Sequence, residues 1–541
     1  MTKYIFVVGG VMSSVGKGVA TASIGKILQA RGYRMSLIKC DMYVNIDAGT
    51  IRPTEHGEVF VGEDGIEADQ DLGTYERFTD QVSTAAHYLT TGQVYAEVIR
   101  RERNLEYGGE DVEVVPDIPN EIIRRIDAAV EKDKSDIAVI EVGGTVGEYQ
   151  NVLFLEAARM MRSRHKNDVL FVLVSYLPIP GKVGEMKTKP TQYAARTLNA
   201  AGIQADFILC RSERPIDDKR REKLALFCNI EPQDAISAPD LESVYDVPVN
   251  FAKDELDVKI LAKFGLAPKE NTLDEWKDFT KKVAGLTKEV SIGIVGKYFN
   301  TGEFTLVDSY VSVIESVKHA AWNLGVKPLI SWLDAETYEQ NPSLLKELSR
   351  YDGIIVPGGF GPRGVEGKIS AVRYVREHNI PYFGLCYGMQ MATIEFARNV
   401  CGLEKANTTE VDPRTPYPVI DVMPEQMINL KEKKMGGSMR LGAYPCDLAQ
   451  GTISREAYSI PSVSERHRHR YEFNNQYRAE LEQKGLVIAG VNPERNLVEI
   501  VELRDHPFFV GVQFHPEFKS RPLAPHPLFA AFIRAALRSP K

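Results

Sequence analysis

Short apolar runs alternating with longer helical patterns limit, more than any other feature, how this chain can fold. The runs are Tyr4–Val8, Met35–Ile38, Ile137–Ile140, Val169–Ser175 and Phe207–Leu209. This rhythm predicts parallel sheets covered by helices, an α/β architecture. A polar stretch rich in Lys and Asp, from Ala267-Pro268-Lys269 through Lys288, breaks the rhythm. A fresh strand then starts at Val290–Val295, and Gly353–Val356 and Tyr382–Leu385 continue a second alternation. The last third is richer in short strands and turns. The expected division is a first domain over residues 1–269, a linker over 270–289 with a short helix in Leu273–Val283, and a second domain over 290–541. At roughly 100–200 residues per domain, a chain of this length has room for both.

The charge balance narrows the partners. Lys and Arg number 66 against 74 Asp and Glu, a net charge of −8 with no long run of one sign. That argues against nucleic acid or an anionic membrane as the main partner. Any anion-binding site must be local, and the one dense basic cluster is Arg466-His467-Arg468-His469-Arg470. Six cysteines at 40, 210, 228, 386, 401 and 446 form no C-x-x-C pair. A zinc site and a disulfide framework are therefore not expected, and a reducing compartment fits. The apolar start before Gly9-Gly10 is too short for a signal-peptide core, and no run approaches the ~20 apolar residues of a membrane span. A cytoplasmic location is expected.

The first strand runs into Gly9-Gly10-Val11-Met12-Ser13-Ser14-Val15-Gly16-Lys17-Gly18, and a helical pattern starts at Val19. Glycines let backbone N–H groups turn toward phosphate, a helix N-terminus adds partial positive charge, and Lys17 can reach the outer phosphates. The match to G-x-x-x-x-G-K-[ST] is imperfect. Val11 stands where the first Gly belongs, and Gly18 replaces the hydroxyl residue that would hold Mg²⁺. A Gly-rich turn in another doubly wound fold is the competing reading. If Gly18 supplies no oxygen, carboxylates must hold the metal. Asp71 is one candidate. Glu141, at the C-terminal end of an apolar strand, is the other, because ligands of open parallel sheets gather there. A basic loop, Gly181-Lys182-Val183-Gly184-Glu185-Met186-Lys187-Thr188-Lys189-Pro190-Thr191-Gln192, would suit a second polyphosphate; a solvated surface loop is the alternative.

The second half carries Gly384-Leu385-Cys386-Tyr387-Gly388-Met389-Gln390 between a strand and a helical pattern. This reads as a nucleophile elbow, in which small flanking residues allow a sharp turn that presents the thiol. Proximity to a helix N-terminus favours the thiolate. Gln513-Phe514-His515-Pro516-Glu517 would supply His515 as the proton carrier, with Glu517 orienting its ring. Pro357-Gly358-Gly359-Phe360-Gly361 closes another strand, where its N–H groups, with that of Tyr387, can face a developing oxyanion.

These glutaminase motifs resemble class I glutamine amidotransferases, and the whole chain resembles the CTP synthase family. The resemblance is carried by residues 9–18 and by Lys39-x-Asp41-x-Tyr43-x-Asn45-x-Asp47-x-Gly49-Thr50, His56–Val61 and Asp71-Leu72-Gly73-x-Tyr75–Phe78. Glu141-x-Gly143–Gly147 and Lys187–Gln192 complete the first half. Gly358–Gly361, Arg363–Gly367, the Cys386 elbow, Arg466–Glu472 and the His515 motif carry the second.

The resemblance implies a dethiobiotin-synthetase-like phosphate-loop domain fused to a class I glutaminase, converting UTP to CTP with ATP, Mg²⁺ and glutamine or ammonia. By motif position, Ser14, Val15, Gly16, Lys17, Gly18, Val19 and Asp71 would bind ATP, and Asp71 and Glu141 would hold Mg²⁺. Ser13, Lys187, Thr188, Lys189, Pro190, Thr191, Gln192 and Lys223 would contact UTP. Gly359, Tyr387, Gly388, Met389, Gln390, Glu410 and Arg470 would hold glutamine, which leaves the basic cluster of residues 466–470 a surface role except at Arg470, paired with a carboxylate. GTP would activate through the Arg363–Gly367 loop, and CTP would feed back at a site overlapping that of UTP. The family assembles as a homotetramer, a dimer of dimers. Two departures stand out. Glu148-Tyr149-Gln150 replaces the usual Asp-Ile-Glu where CTP contacts are expected, and Met42 replaces Pro. Rival assignments are another ATP-dependent amidotransferase, such as a cobyrinate-type amide synthase, or a nucleotide-gated scaffold that has lost catalysis.

Overall fold

The computed structural model describes residues 2–182, 184–297, 300–301, 304–305, 307–423, 426 and 436–538. Of the sequence candidates, only Val183 in the basic loop lies outside the described residues. The chain forms two compact units: Met1–Asp47 with Asp71–Lys281, and Ala48–Gln70 with Lys282–Lys541.

The first unit is built on a seven-stranded sheet. Its order is Tyr88–Thr90, Met35–Asp41, Ile137–Val142, Lys3–Gly9, Val169–Tyr176, Phe207–Ser212, Ala235–Pro239. Every neighbouring pair is parallel. The inner strands are almost wholly buried, as continuous Val, Ile and Leu runs must be when helices cover both faces. The chain builds first on one side of Lys3–Gly9 and then on the other, so the loop after Gly9 opens where strand order reverses. The helix Asp274–Ala284 docks on this unit through Trp276, which is buried and donates from Nε1 to Tyr245 O at 2.8 Å.

The second unit has a nine-stranded mixed sheet. Five parallel strands, Lys327–Asp334, Glu289–Gly296, Gly353–Val356, Tyr382–Leu385 and Phe509–Val512, continue into four antiparallel ones. The excursion Ala48–Gln70 belongs here. The fully buried Arg466 donates to Glu63 Oε1 at 3.1 Å and Val61 O at 3.2 Å, and Arg468 Nε meets Glu67 Oε1 at 2.8 Å.

Two expectations are corrected by these contacts. A single cut at 270–289 leaves out the excursion, because ion pairs between residues some four hundred positions apart leave no local trace in sequence. The basic cluster is also not surface. Arg466, His467 and His469 are buried in the strand Ser462–His469, where carboxylates of the excursion meet the arginines. Among the described residues no helix is long and apolar enough to cross a membrane.

Candidate active site

In the first unit, the strand Lys3–Gly9 ends in a loop that leads into the helix Lys17–Gln29. Gly16 caps this helix with φ 91°, and Val11 adopts φ 79°. The backbone at 11 thus takes a glycine-like conformation even though a β-branched residue stands there, which costs strain. Lys17 is buried and donates from Nζ to Gly144 O at 2.8 Å. Burial lowers its pKa, and the Glu141 carboxylate partly opposes this.

Lys39 links the two carboxylate candidates. Its Nζ lies 2.9 Å from Glu141 Oε1 and bonds Asp71. Tyr75 OH donates to the other Glu141 oxygen at 2.5 Å. A Cβ on Gly18 would lie 1.9 Å from Asp71 Oδ1, so Asp71 fills the space a hydroxyl side chain at 18 would need. Two hard carboxylates converging on a cationic centre beside Lys17 fit a Mg²⁺ that keeps water and phosphate ligands. Among the described residues no group of three or more His, Cys, Asp or Glu is placed to hold a metal by itself.

The basic loop approaches the same end of the sheet. A Cβ on Gly10 would lie 2.6 Å from Ala194 Cβ on the helix Lys189–Ala200, and Thr191 Oγ1 meets Ser175 Oγ at 2.9 Å. Gln192 donates to Thr188 Oγ1 at 3.0 Å. Lys187, Arg220 and Lys223 surround Glu185; the Lys187 bond, at 2.7 Å, does most to lower that carboxyl's pKa. Ser13 and Ser14 are exposed and Val15 is buried. Glu148 turns inward, accepting from Thr145 N at 2.8 Å and Thr145 Oγ1 at 2.6 Å, whereas Tyr149 is 97% exposed and Gln150 exposed.

Sequence reasoning missed a cavity of about 240 Å³ beside Gly16 and Val19, walled by Arg211, Asp240, Leu241, Asn250 and Phe251. The signal was the strand Ala235–Pro239, whose C-terminal end delivers Asp240, but its proline and five-residue length hide it.

In the second unit, the strand Tyr382–Leu385 passes through Cys386, at φ 48° and ψ −98°, into the helix Tyr387–Asn399. Only small neighbours permit this turn. A Cβ on Gly384 would lie 2.6 Å from Tyr382 Oη, and one on Gly388 2.1 Å from Val356 O. Gln513 Nε2 approaches the sulfur at 3.6 Å. His515 Nδ1 meets Glu517 Oε1 at 2.7 Å, and the ring stacks on Phe518. Burial alone would lower the His515 pKa, but the Glu517 carboxylate and the Cys386 sulfur outweigh it and hold the imidazole up at about 10.

Cys386 and His515 open onto a cavity of about 590 Å³. Gly359, Tyr387, Gln390, Glu410 and Arg470 line it too; Gly388 and Met389 do not, being buried in packing. Glu410 accepts from Gly361 N at 2.7 Å, and burial raises its pKa. Arg470 donates to Gln426 at 2.8 Å and Ser438 at 3.2 Å. The Gly358–Gly361 loop is braced by Lys297, which donates to the Phe360 and Gly361 carbonyls, and by Tyr387 OH, 3.0 Å from Gly361 O. Two further sets of residues were not placed at this cavity from sequence. Lys297 is an isolated lysine with no motif around it, and the excursion adds Gly49, Pro53, Glu58 and Val59 to the cavity wall.

A phosphate-loop domain on a parallel sheet, joined to a class I glutaminase domain built around a cysteine elbow, defines a two-domain glutamine amidotransferase. Residues 3–266 match the family described as CTP synthase N-terminus, and residues 305–535 match glutamine amidotransferase class-I. CTP synthase from Caldanaerobacter subterraneus subsp. tengcongensis is 49% identical over 539 residues, 99% of this chain and 98% of that protein. CTP synthase from Bacillus subtilis is 46% identical over 540 residues, 100% of this chain and 99% of that protein. Among solved structures, the Trypanosoma brucei CTPS glutaminase domain with bound acivicin is 40% identical. It covers 47% of this chain and 95% of that one, with a TM-score of 0.42. The chain belongs to the CTP synthase family.

Proposed function

We propose that this chain makes CTP by the reaction UTP + ATP + glutamine + water → CTP + ADP + phosphate + glutamate, with free ammonia able to replace glutamine. One observation carries the reading: Cys386 held at a strained turn beside the His515–Glu517 pair, in a chain related to CTP synthases along its whole length.

The Cys386 thiolate attacks the glutamine carboxamide. The oxyanion forms between the N–H groups of Gly359 and Tyr387, and His515 gives its proton to the departing ammonia. Water then releases glutamate from the thioester, with His515 taking a proton back. Glu410 and Arg470 hold the glutamine ammonium and carboxylate, each matching opposite charge in a partly desolvated wall. Gln390 lines the same cavity, and Gly388 and Met389 set the packing of the elbow helix.

In the first unit, Ser14–Val19 hold ATP phosphates, with Lys17 at the outer ones. The 240 Å³ cavity beside Gly16 receives adenine, its apolar walls stacking the ring and Asp240 and Asn250 offering polar partners. Asp71 and Glu141 hold Mg²⁺, which when bound neutralises phosphate charge. Ser13, Lys187–Gln192 and Lys223 hold UTP. ATP phosphorylates O4 of the uracil, making a good leaving group, and ammonia displaces phosphate at C4. The protein's contribution is mainly positioning and charge. CTP binds over the same triphosphate contacts, reaching Glu148, Tyr149 and Gln150. GTP activates the glutaminase through the Arg363–Gly367 loop, and the chain works as a homotetramer.

Product analysis after incubation with ATP, Mg²⁺, UTP and either glutamine or ammonia tests this reading. CTP should form in both tubes. Amidation of another acid, with no CTP, would assign the chain to a different ATP-dependent amidotransferase.

A further inference from the structure

Lys368 lies in the helix Val365–Glu377, is fully buried, and its Nζ has no hydrogen-bond partner. An unpaired buried ammonium is costly, and substitution by a similar apolar chain would relieve that cost. The ammonium sits 5.2 Å from the centroid of the Tyr387 ring and would lie 3.5 Å from a Cβ built on Gly359. Those two residues flank the point where the glutamine carbonyl oxygen becomes an anion. The charged groups acting on it are Lys297, from the end of the strand Glu289–Gly296, and the Cys386 sulfur at the elbow. Lys297 is already committed to the Phe360 and Gly361 carbonyls. Burial and Lys297 push the Lys368 ammonium down to about 7, and the Cys386 sulfur opposes them.

We propose that Lys368 is a positioning residue for glutamine hydrolysis: a buried cation beneath Gly359 that favours the Cys386 thiolate and steadies the oxyanion of each tetrahedral intermediate. It transfers no proton. When sulfur attacks carbon, the negative charge moves from sulfur to the carboxamide oxygen and stays near Lys368, with Lys297 and the protonated His515 as the other cations of the pocket. When the carbonyl re-forms, the C–N bond breaks and the nitrogen leaves with the His515 proton. In a low-dielectric pocket the protonated form of Lys368 lowers the barrier to such steps without reorganising, so its contribution fades as pH rises above about 7.

This rests on the glutaminase reading above, and the test separates the two. In the full chain, Lys368→Met should cut kcat for glutamine hydrolysis by about tenfold to a hundredfold, less than loss of a direct oxyanion donor, with KM little changed. Ammonia-dependent synthesis and melting temperature should not fall. Alkylation of Cys386 by iodoacetamide at neutral pH should slow about tenfold, while Lys368→Arg keeps the parent rate. An unchanged kcat and alkylation rate in Lys368→Met would overturn the inference. So would a loss of both activities together with a lower melting temperature, which would mark the lysine as merely structural. If the parent itself released no glutamate, the glutaminase reading would fail, and the alkylation arm would still judge Lys368.

Discussion

Gly18 stands where the phosphate-loop pattern has a hydroxyl residue, and Asp71 crowds it in space: a Cβ there would lie 1.9 Å from Asp71 Oδ1, so a serine would require that carboxylate to move. Lys17→Ala should impair CTP synthesis from glutamine and from ammonia alike while leaving glutamine hydrolysis intact; synthesis rates unchanged from the parent with both nitrogen sources would remove the loop from the mechanism. Cys386→Ala should do the reverse, abolishing glutamine-dependent synthesis and retaining ammonia-dependent synthesis. His515 adds a pH signature. Its pKa is raised from 6.5 to about 10, so its contribution to stability is complete below 6.5 and is lost as pH rises through about 10. Removing the Glu517 charge by Glu517→Gln takes away a chief cause of that elevation. The alkaline limb of glutamine hydrolysis should then move to lower pH, which a kcat–pH profile would read.

Among the elements, the cysteine elbow was legible because its demands are local. Gly384 and Gly388 flank the nucleophile within a few residues, and the structure shows each touching atoms that leave no room for a Cβ. Gly388→Ala would press a methyl against Val356 O, an immobile backbone atom. It should cost about 1–3 kcal/mol by overpacking, visible as a lower melting temperature. The strand Ser462–His469 was misread because arginine and histidine in succession look solvated, yet Glu465, Arg466 and His467 are buried in succession on both faces, and Arg466 and Arg468 find carboxylates. The strand Ala235–Pro239 escaped notice for the opposite reason: it is short and carries proline, and only its pairing with Phe207–Ser212 makes it the seventh, edge strand of the sheet.

For the whole molecule, the division into two units follows contacts rather than chain order. Residues Ala48–Gln70 leave the first unit's sequence and pack with the second, through Arg466, Arg468 and the Phe60–Phe518 ring contact. Arg466→Ala would leave Val61 O unpaired, at a cost of about 1–3 kcal/mol. Hydrogen exchange over residues 59–69 should speed up while the rest of the second unit stays protected, and uniform exchange would show that Arg466 does not hold the excursion. The amino-acid order alone determined the α/β class and the family resemblance, and it singled out the Gly-rich loop and Cys386, His515 and Glu517 as candidates. Those signals sit within short windows of chain, where spacing dictates geometry. Only the tertiary structure decided the route of Ala48–Gln70, the burial of the basic strand, the cavity beside Gly16 and the place of Lys368 under Gly359. Each of these depends on burial and pairing between distant residues, which are properties of the packed solid.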